Sequence, residues 1–230
     1  MRFRELAWGA ALHYYWTGGD SPYQDLVSDT NFLGRLQNGP TLADFDQVRV
    51  FLAKYRSRPR PELAKRYLDI WLRIQPSISA LASETLLTCN LTDSSVREQV
   101  EFLYSHLQSP FVEGASGTIA SKVLHFLNTS LFVMWDLNIQ GRYLNLGART
   151  YSDFLLQMQR HALQATEEYE QLPSEQKLGE TAPENFISAS LGLRHTRPMA
   201  KLVDDFNWMT ITNQAPPTMP RWLWMLFDLQ

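Results

Sequence analysis

A lone carboxylate and a nearby amine in the stretch Val112 to Gln140 (VEGASGTIASKVLHFLNTSLFVMWDLNIQ) are the residues of this chain best suited to chemistry. Asp136 ends the apolar run Leu131 to Trp135, which would leave its carboxylate in a water-poor cleft. A carboxylate held there can stabilise a developing positive charge and orient or deprotonate an attacking water molecule. Lys122 precedes it in the same stretch, and a lysine amine can act as a nucleophile that forms a Schiff base.

A turn of small residues and a helix come before this carboxylate and would position it. The turn is Gly114-Ala115-Ser116-Gly117, and after it apolar residues recur at helical spacing: Ile119, Val123, Phe126 and Leu127. A turn at the start of a helix presents backbone N–H groups that can hold a phosphate. Small-residue turns also occur without a ligand, so this one points to function only in combination with Asp136.

The order of small-residue turn, helix, break, apolar run and Asp resembles the helix-hairpin-helix superfamily of DNA glycosylases. In that family a Gly-rich hairpin holds a DNA phosphate, and a later Asp serves cleavage of an N-glycosidic bond. The resemblance implies that Gly114, Ser116, Gly117 and Thr118 bind the DNA backbone and that Asp136 is catalytic. It departs from the family at Ser116, which stands for a glycine, and at Thr118, where bifunctional members carry the nucleophilic lysine.

The function implied by the resemblance is removal of a damaged or modified base that has been flipped out of double-stranded DNA. Asp136 would assist attack at C1′ by water, or by Lys122, which lies one helical turn beyond Thr118 and would add lyase activity. Modified phage DNA is one substrate class that such an enzyme could meet in antiviral defence. Aromatic side chains available to line a base pocket are Tyr15, Trp16, Trp135 and Trp208.

Other interpretations fit the same residues. Asp136 suits the N-cap of the following helix, and Lys122 could contact a phosphate or simply lie on the helix surface. The four aromatic residues could serve core and rim packing. The chain could then be a helix-hairpin-helix module that binds DNA without catalysis, or a helical interaction protein in which the motif is fortuitous.

Composition and charge limit the remaining possibilities. The 230 residues are 44% hydrophobic and 20% charged, which is typical of a globular protein, and no stretch has the length of a membrane span. A single cysteine excludes an intramolecular disulfide and a four-cysteine metal cluster, and the five histidines show no ligand spacing. We therefore expect no metal or other cofactor. We also expect a cytoplasmic location and a monomer.

The net charge of −3 disfavours DNA binding mildly, because phosphate neutralisation dominates affinity for nucleic acids. A local basic face could still bind DNA. Two groups of cations are present, and the alternative for both is a solvated surface. They are Arg56, Arg58, Arg60, Lys65 and Arg66, and, later in the chain, Arg194, Arg197 and Lys201.

Helical periodicity predicts an all-α fold, and the resemblance implies a two-lobed helical bundle with a cleft between the lobes. Residues 1–230 are expected to form one compact helical unit, or two interleaved lobes with the hairpin and catalytic Asp at 112–140. Residues 23–40 are predicted to be irregular, Pro76 is predicted to end a helix, and Ile211-Thr212 is the one short strand candidate. The proline-arginine stretch 57–62 is the best candidate for an internal hinge.

Overall fold

The computed structural model describes residues 1–54, 57, 59–109 and 116–217, and within these ranges the chain is helical and contains no β-strand. This confirms the all-α prediction. The helices are α1 (Phe3–Trp16), α2 (Ser21–Ser28), α3 (Thr30–Asn38), α4 (Leu42–Lys54), α5 (Leu63–Ala80), α6 (Ser94–Gln108), α7 (Gly117–Leu127), α8 (Leu137–Asn145), α9 (Tyr151–Glu170), α10 (Pro183–Ser190) and α11 (Met199–Asn207). None of them is both long and apolar enough to cross a membrane.

Local sequence signals account for several of the helix starts. Asp44 accepts hydrogen bonds from the backbone N–H and the hydroxyl of Thr41 at the start of α4, at 2.9 and 2.7 Å. Thr150 and Asp153 form a reciprocal capping box at the start of α9. Pro183 is the first residue of α10, where its missing N–H costs no hydrogen bond.

Three sequence predictions about secondary structure were wrong. Residues 23–40, predicted to be irregular, form most of α2 and all of α3, which Asp29 caps by accepting from the amide of Phe32 at 2.9 Å. Helix α5 continues through Pro76. The proline removes the hydrogen bond to the Leu72 carbonyl, but both residues lie on the exposed side, where water can replace it.

The strand candidate at the end of the described chain was also wrong. Trp208–Thr212 forms a π-helical turn that continues directly from α11. Single π-turns occur frequently at functional sites. The turn packs against α1 and α8, so it brings the end of α11 to the start of α8.

Helix α1 packs on α11, α9 and α10, whereas α5 packs on α4 and α6, and α3 packs on α4, α5 and α7. Helix α6 contacts members of both groups, namely α7 and α9. The buried apolar residues form one continuous core from Phe3 in α1 to Val203 in α11. Helices α7, α8 and α11, which carry or adjoin Lys122, Asp136 and Asp204, are therefore attached to the same core.

The approach of α1 to α11 depends on a glycine. A Cβ atom added to Gly9 would lie 2.6 Å from the backbone Cα of Phe206, a distance that neither helix can accommodate without moving. Because backbone rather than a flexible side chain blocks the space, the helices can be this close only where the side chain is a hydrogen atom.

We predict that Gly9→Ala lowers the free energy of unfolding by about 1–3 kcal/mol, because the two helices must separate. Urea unfolding followed by circular dichroism measures the change. The matched control is Gly34→Ala in α3, where nothing lies within 4 Å of the added atom. That variant should gain up to about 1 kcal/mol from helix propensity. Equal effects of the two substitutions would contradict the packing argument.

Candidate functional site

The carboxylate of Asp136 caps α8 and is held on three sides. Its Oδ1 accepts hydrogen bonds from the amides of Asn138 and Ile139, each at 2.9 Å, and its Oδ2 accepts from the Thr212 hydroxyl at 2.7 Å. The N-cap interpretation is thus confirmed, while the catalytic role stays a prediction. The side chain is only half-buried, and Oδ2 keeps a lone pair for a further donor.

Lys122 projects from α7 and is partly buried. Its Nζ donates to the Oγ of Ser57, the first residue of the proline-arginine stretch, at 2.8 Å. Burial lowers the pKa of Lys122 from its ordinary value of 10.5, and the charges of Asp204 and Asp136 oppose that effect without cancelling it. The amine therefore loses its proton more readily than a surface lysine, as an amine nucleophile must.

A network of fully buried charges lies next to these two residues. Lys201 in α11 donates to Oδ1 of Asp205 at 2.5 Å, and its Nζ lies 3.5 Å from carboxylate oxygens of both Asp204 and Asp20. Arg197 donates from Nη1 to Oδ2 of Asp205 at 2.6 Å. All five residues are at most 5% exposed. A charge buried this deeply is stable only when it is paired, so each member holds the others in place.

The two lysines have opposite ionisation properties because their surroundings differ. Burial alone would lower the pKa of Lys201, but Asp205, Asp20 and Asp204 together raise it well above its ordinary value. Lys201 is a permanent cation, whereas the amine of Lys122 is destabilised as a cation. Of the two, only Lys122 suits a nucleophilic role.

Asp204 joins the network to the site. Burial raises the pKa of its carboxyl to about 7, the charge of Lys201 opposes this, and the charges of Asp205 and Asp136 add to it. Asp204 is thus a carboxyl that can exchange a proton near neutral pH, close enough to Lys122 for each to influence the other. Asp205 behaves in the opposite way. Although burial would raise its pKa, its cationic neighbours lower it to about 2.

His13, Asp20 and Asp205 bring possible metal ligands together, with ligand atoms within 4.8 Å of one another. The ammonium group of Lys201 lies 2.5 Å from Asp205 and 3.5 Å from Asp20, among the same oxygens, and Arg197 pairs with Asp205. These two cations already neutralise the carboxylates and would repel a divalent ion. The donor set therefore suits an ammonium group better than a metal.

The small-residue turn is described only in part. Gly114 lies outside the described residues. Ser116 caps α7 by accepting from the amide of Ile119 at 3.3 Å, and Gly117 and Thr118 are the first residues of the helix. The amides of Gly117 and Thr118, like those of any first helical turn, have no partner within the helix, and such amides can hold an anion.

The four aromatic candidates occupy different environments. Tyr15 and Trp16 are exposed, at 72% and 69%, and Trp208 is partly buried with its ring edge-on to His13 at 5.4 Å. Trp135 lies in the core and stacks on Phe154 at 5.1 Å, so protein side chains cover its ring. Three of the four are therefore placed where a ligand could reach them.

The two cation groups lie in different environments. Arg56 and Arg58 lie outside the described residues, and the neighbouring Arg60, Lys65 and Arg66 are exposed. In the second group only Arg194 is exposed, because Arg197 and Lys201 are buried in the ion network. The solvated-surface alternative was wrong for these two. The sequence signal that we missed is the placement of Asp204 and Asp205 one turn after Lys201.

The chain matches no family model, no curated protein and no solved structure with which it was compared.

We predict that the protein loses stability as the pH falls from about 6.5 to about 4. Burial lowers the pKa of His13, His125 and His161 to about 4 from the ordinary value of 6.5, so the unfolded chain binds protons first. Between those two pH values each histidine then lowers the free energy of unfolding by about 1.4 kcal/mol for each unit by which the pH falls. Asp204, with a raised pKa, acts in the opposite direction but is one group against three.

Urea unfolding at pH 7, 6 and 5 measures this slope. The control is His161→Gln, which removes one titrating group at the partly buried edge of the core and should reduce the slope by about 1.4 kcal/mol per pH unit. A stability that is constant or rises on acidification would contradict the assignment of buried neutral histidines.

The start of α7 is fitted against α6, and this contact gives a further prediction. A Cβ atom added to Gly117 would lie 2.4 Å from the hydroxyl of Tyr104, with the next contacts at 3.4 Å to Gln108 and 3.6 Å to the Tyr104 ring. Gly117→Ala should therefore lower the free energy of unfolding by about 1–3 kcal/mol. In a Tyr104→Phe background the same substitution should cost almost nothing. Additive effects in the double-mutant cycle would contradict the contact.

Proposed function

We propose that the protein is a DNA glycosylase of the helix-hairpin-helix type, with lyase activity, that acts on a damaged or modified base flipped out of duplex DNA. One observation carries the proposal: the amine of Lys122, whose pKa is lowered by burial, is near enough to the carboxylates of Asp136 and Asp204 for the charge of each to act on it. The three residues come from α7, from the N-cap of α8 and from α11. A structural core has no need of such a partly accessible, readily neutralised amine.

The two groups of helices correspond, in this proposal, to the two lobes of the family fold. Helices α3, α4, α5 and α7 make one group, α1, α9, α10 and α11 make the other, and α6 joins them. Lys122 projects from the first group and Asp204 from the second. A cleft between the lobes would place a flipped nucleotide between these side chains, with the exposed Tyr15 and Trp16 at the end of α1 available to stack on bases.

The proposed reaction begins with the neutral amine of Lys122. Its lone pair forms a bond to C1′ as the bond from C1′ to the base breaks, and the electron pair leaves on the base nitrogen, which takes a proton. The attached nitrogen loses a proton, its lone pair forms the C1′=N bond of a Schiff base as the C1′–O4′ bond breaks, and O4′ takes a proton as the sugar ring opens. Asp136 stabilises the positive charge that develops at the sugar, and its three hydrogen-bond donors keep it oriented without protonating it.

The DNA backbone would bind at the start of α7. The amides of Gly117 and Thr118 belong to partly exposed residues at the positive end of the helix dipole, and the exposed residue Ser116 precedes them. Such contacts position the duplex without reading its sequence. Base choice would then depend on the pocket.

A second candidate, a DNA-binding module without catalysis, is favoured by the engagement of Asp136. Both of its oxygens already accept hydrogen bonds, as a purely capping residue requires. The lowered pKa of Lys122 favours the enzyme, because a purely capping role for Asp136 does not account for an amine that is readily neutralised.

We predict that Asp136→Asn and Lys122→Gln each reduce base release by about 10²- to 10⁴-fold while DNA binding is retained. Asparagine caps helices as well as aspartate, so Asp136→Asn should keep the fold. Released bases are measured by mass spectrometry over a panel of duplexes that carry oxidised, alkylated and phage-type modified bases. Borohydride should trap a covalent complex with the wild-type chain and none with Lys122→Gln.

The pH dependence of trapping tests the amine directly. Because the pKa of Lys122 is lowered, trapping should increase with pH and level off below the ordinary value for lysine of 10.5. Lys65→Gln, an exposed lysine of α5, is the matched control and should behave as the wild type. DNA binding without base release from any duplex would reject the glycosylase and support the DNA-binding module. Absence of DNA binding would reject both candidates.

A further inference from the structure

A cationic groove lies between α5 and α6. The groove has a volume of about 490 Å³ and is lined by Arg66, Asp69, Ile70 and Arg73 of α5 and by Ser105, His106 and Ser109 at the end of α6. Arg66, Asp69 and Arg73 follow one another at helical spacing, so they share one face of α5.

The polar groups of this groove are suited to an anion. Neither the Arg66 side chain nor the Arg73 side chain makes an ion pair or hydrogen bond with another residue in the part of the chain that the structure describes. Other arginines of the surface are paired with carboxylates, among them Arg35, Arg49 and Arg97. Even Asp69, one turn from each of the groove arginines, forms no ion pair with them. Two guanidinium groups thus face the groove with their donors unused.

His106 adds a defined group to the same groove. Its Nδ1 lies 2.8 Å from the carbonyl oxygen of Phe102, and because a carbonyl can only accept, Nδ1 carries a proton. Nε2 is then a hydrogen-bond acceptor, so the two guanidinium groups are the donors that an anion would meet in the groove. The hydroxyl of Ser105 donates to the same carbonyl at 3.1 Å and keeps its lone pairs. The cations of the groove outnumber its one carboxylate.

The groove adjoins the start of α7. Ser109 is the last described residue before the small-residue turn, and Gly117 after the turn lies against Tyr104 and Gln108 of α6. The end of α6 therefore separates two surfaces that present N–H donors to solvent, one at the groove and one at the start of α7. Successive phosphates of a nucleic acid strand are spaced by several ångströms, so a strand held at one surface can continue to the other.

We propose that the α5–α6 groove binds a phosphodiester of the DNA strand next to the segment held at the start of α7. Arg66 and Arg73 neutralise the phosphate and release counterions, and they contribute affinity without reading the base sequence. This proposal rests on the proposed function only in taking DNA as the ligand. It requires that the chain bind DNA, but it does not require that the chain release a base.

Fluorescence anisotropy of a labelled duplex over a series of salt concentrations tests the groove. Arg66→Gln/Arg73→Gln should reduce the slope of log K against log salt by about 2, since two phosphate contacts are lost. The charge-matched control is Arg149→Gln/Arg160→Gln, two exposed arginines before and on α9, which should leave the slope unchanged. Asp69→Asn removes a negative charge from the groove and should tighten binding.

Equal slopes for the two arginine pairs, or unchanged binding in Asp69→Asn, would overturn the proposal while DNA binding and base release by the wild-type chain persist. A wild-type chain that binds no duplex would overturn it together with the proposed function. Calorimetry with inorganic phosphate separates a strand from a small ligand. We expect phosphate to bind weakly, with a millimolar dissociation constant. Micromolar binding that Arg66→Gln/Arg73→Gln abolishes would instead indicate that the groove takes a free phosphorylated ligand and not a DNA strand.

Discussion

The pairing of Lys201 and Arg197 with Asp205 is the interaction on which the arrangement of the site depends. Moving an ion out of water costs several kcal/mol, and loss of one partner from a buried pair costs about 3–5 kcal/mol. Asp20 comes from the loop after α1 and the other members from α11 and the residue before its cap, so the charges balance only when the two segments are in register. The contact of Gly9 with Phe206 brings α1 and α11 to that register. A buried network of this kind is a specificity device, since it penalises every misaligned packing.

The same network divides the titratable groups of the site. Lys201 lies among three carboxylates and remains charged, whereas the amine of Lys122 has Asp204 and Asp136 close enough to oppose its desolvation but not to overcome it. Asp204 lies between the two lysines, and burial raises its pKa to about 7. Pairs of groups whose ionisation is pushed apart by their surroundings are typical of sites that transfer protons at neutral pH. The structure thus contains one lysine that stays charged within an ion network and a second, more readily neutralised lysine, which the proposed reaction would use as its nucleophile.

Helix α6 connects the parts that the proposed function uses. It contacts α5, α7 and α9, and its residue Tyr104 sets the position of Gly117 at the start of α7. The proposed phosphate groove lies along the same helix. A duplex bound to both surfaces would be oriented relative to Asp136. The reason is that the backbone amide of Trp135, the residue before Asp136, donates to the hydroxyl of Ser121 in α7 at 2.9 Å. Positioning of the strand and of the carboxylate therefore depends on one connected piece of structure.

The amino-acid sequence by itself determined the all-helical class, the capping of α4 by Thr41 and Asp44, the start of α10 at Pro183 and the position of Asp136 before a helix. These follow from local hydrogen bonding and from hydrophobic periodicity, which need only neighbouring residues. The tertiary structure alone decided that Arg197 and Lys201 are buried, that Lys122 is partly desolvated beside Asp204, and that Trp135 belongs to the core. Those properties arise from contacts between residues that are distant in the chain, and the energy of a charge depends on everything packed around it rather than on its neighbours in sequence.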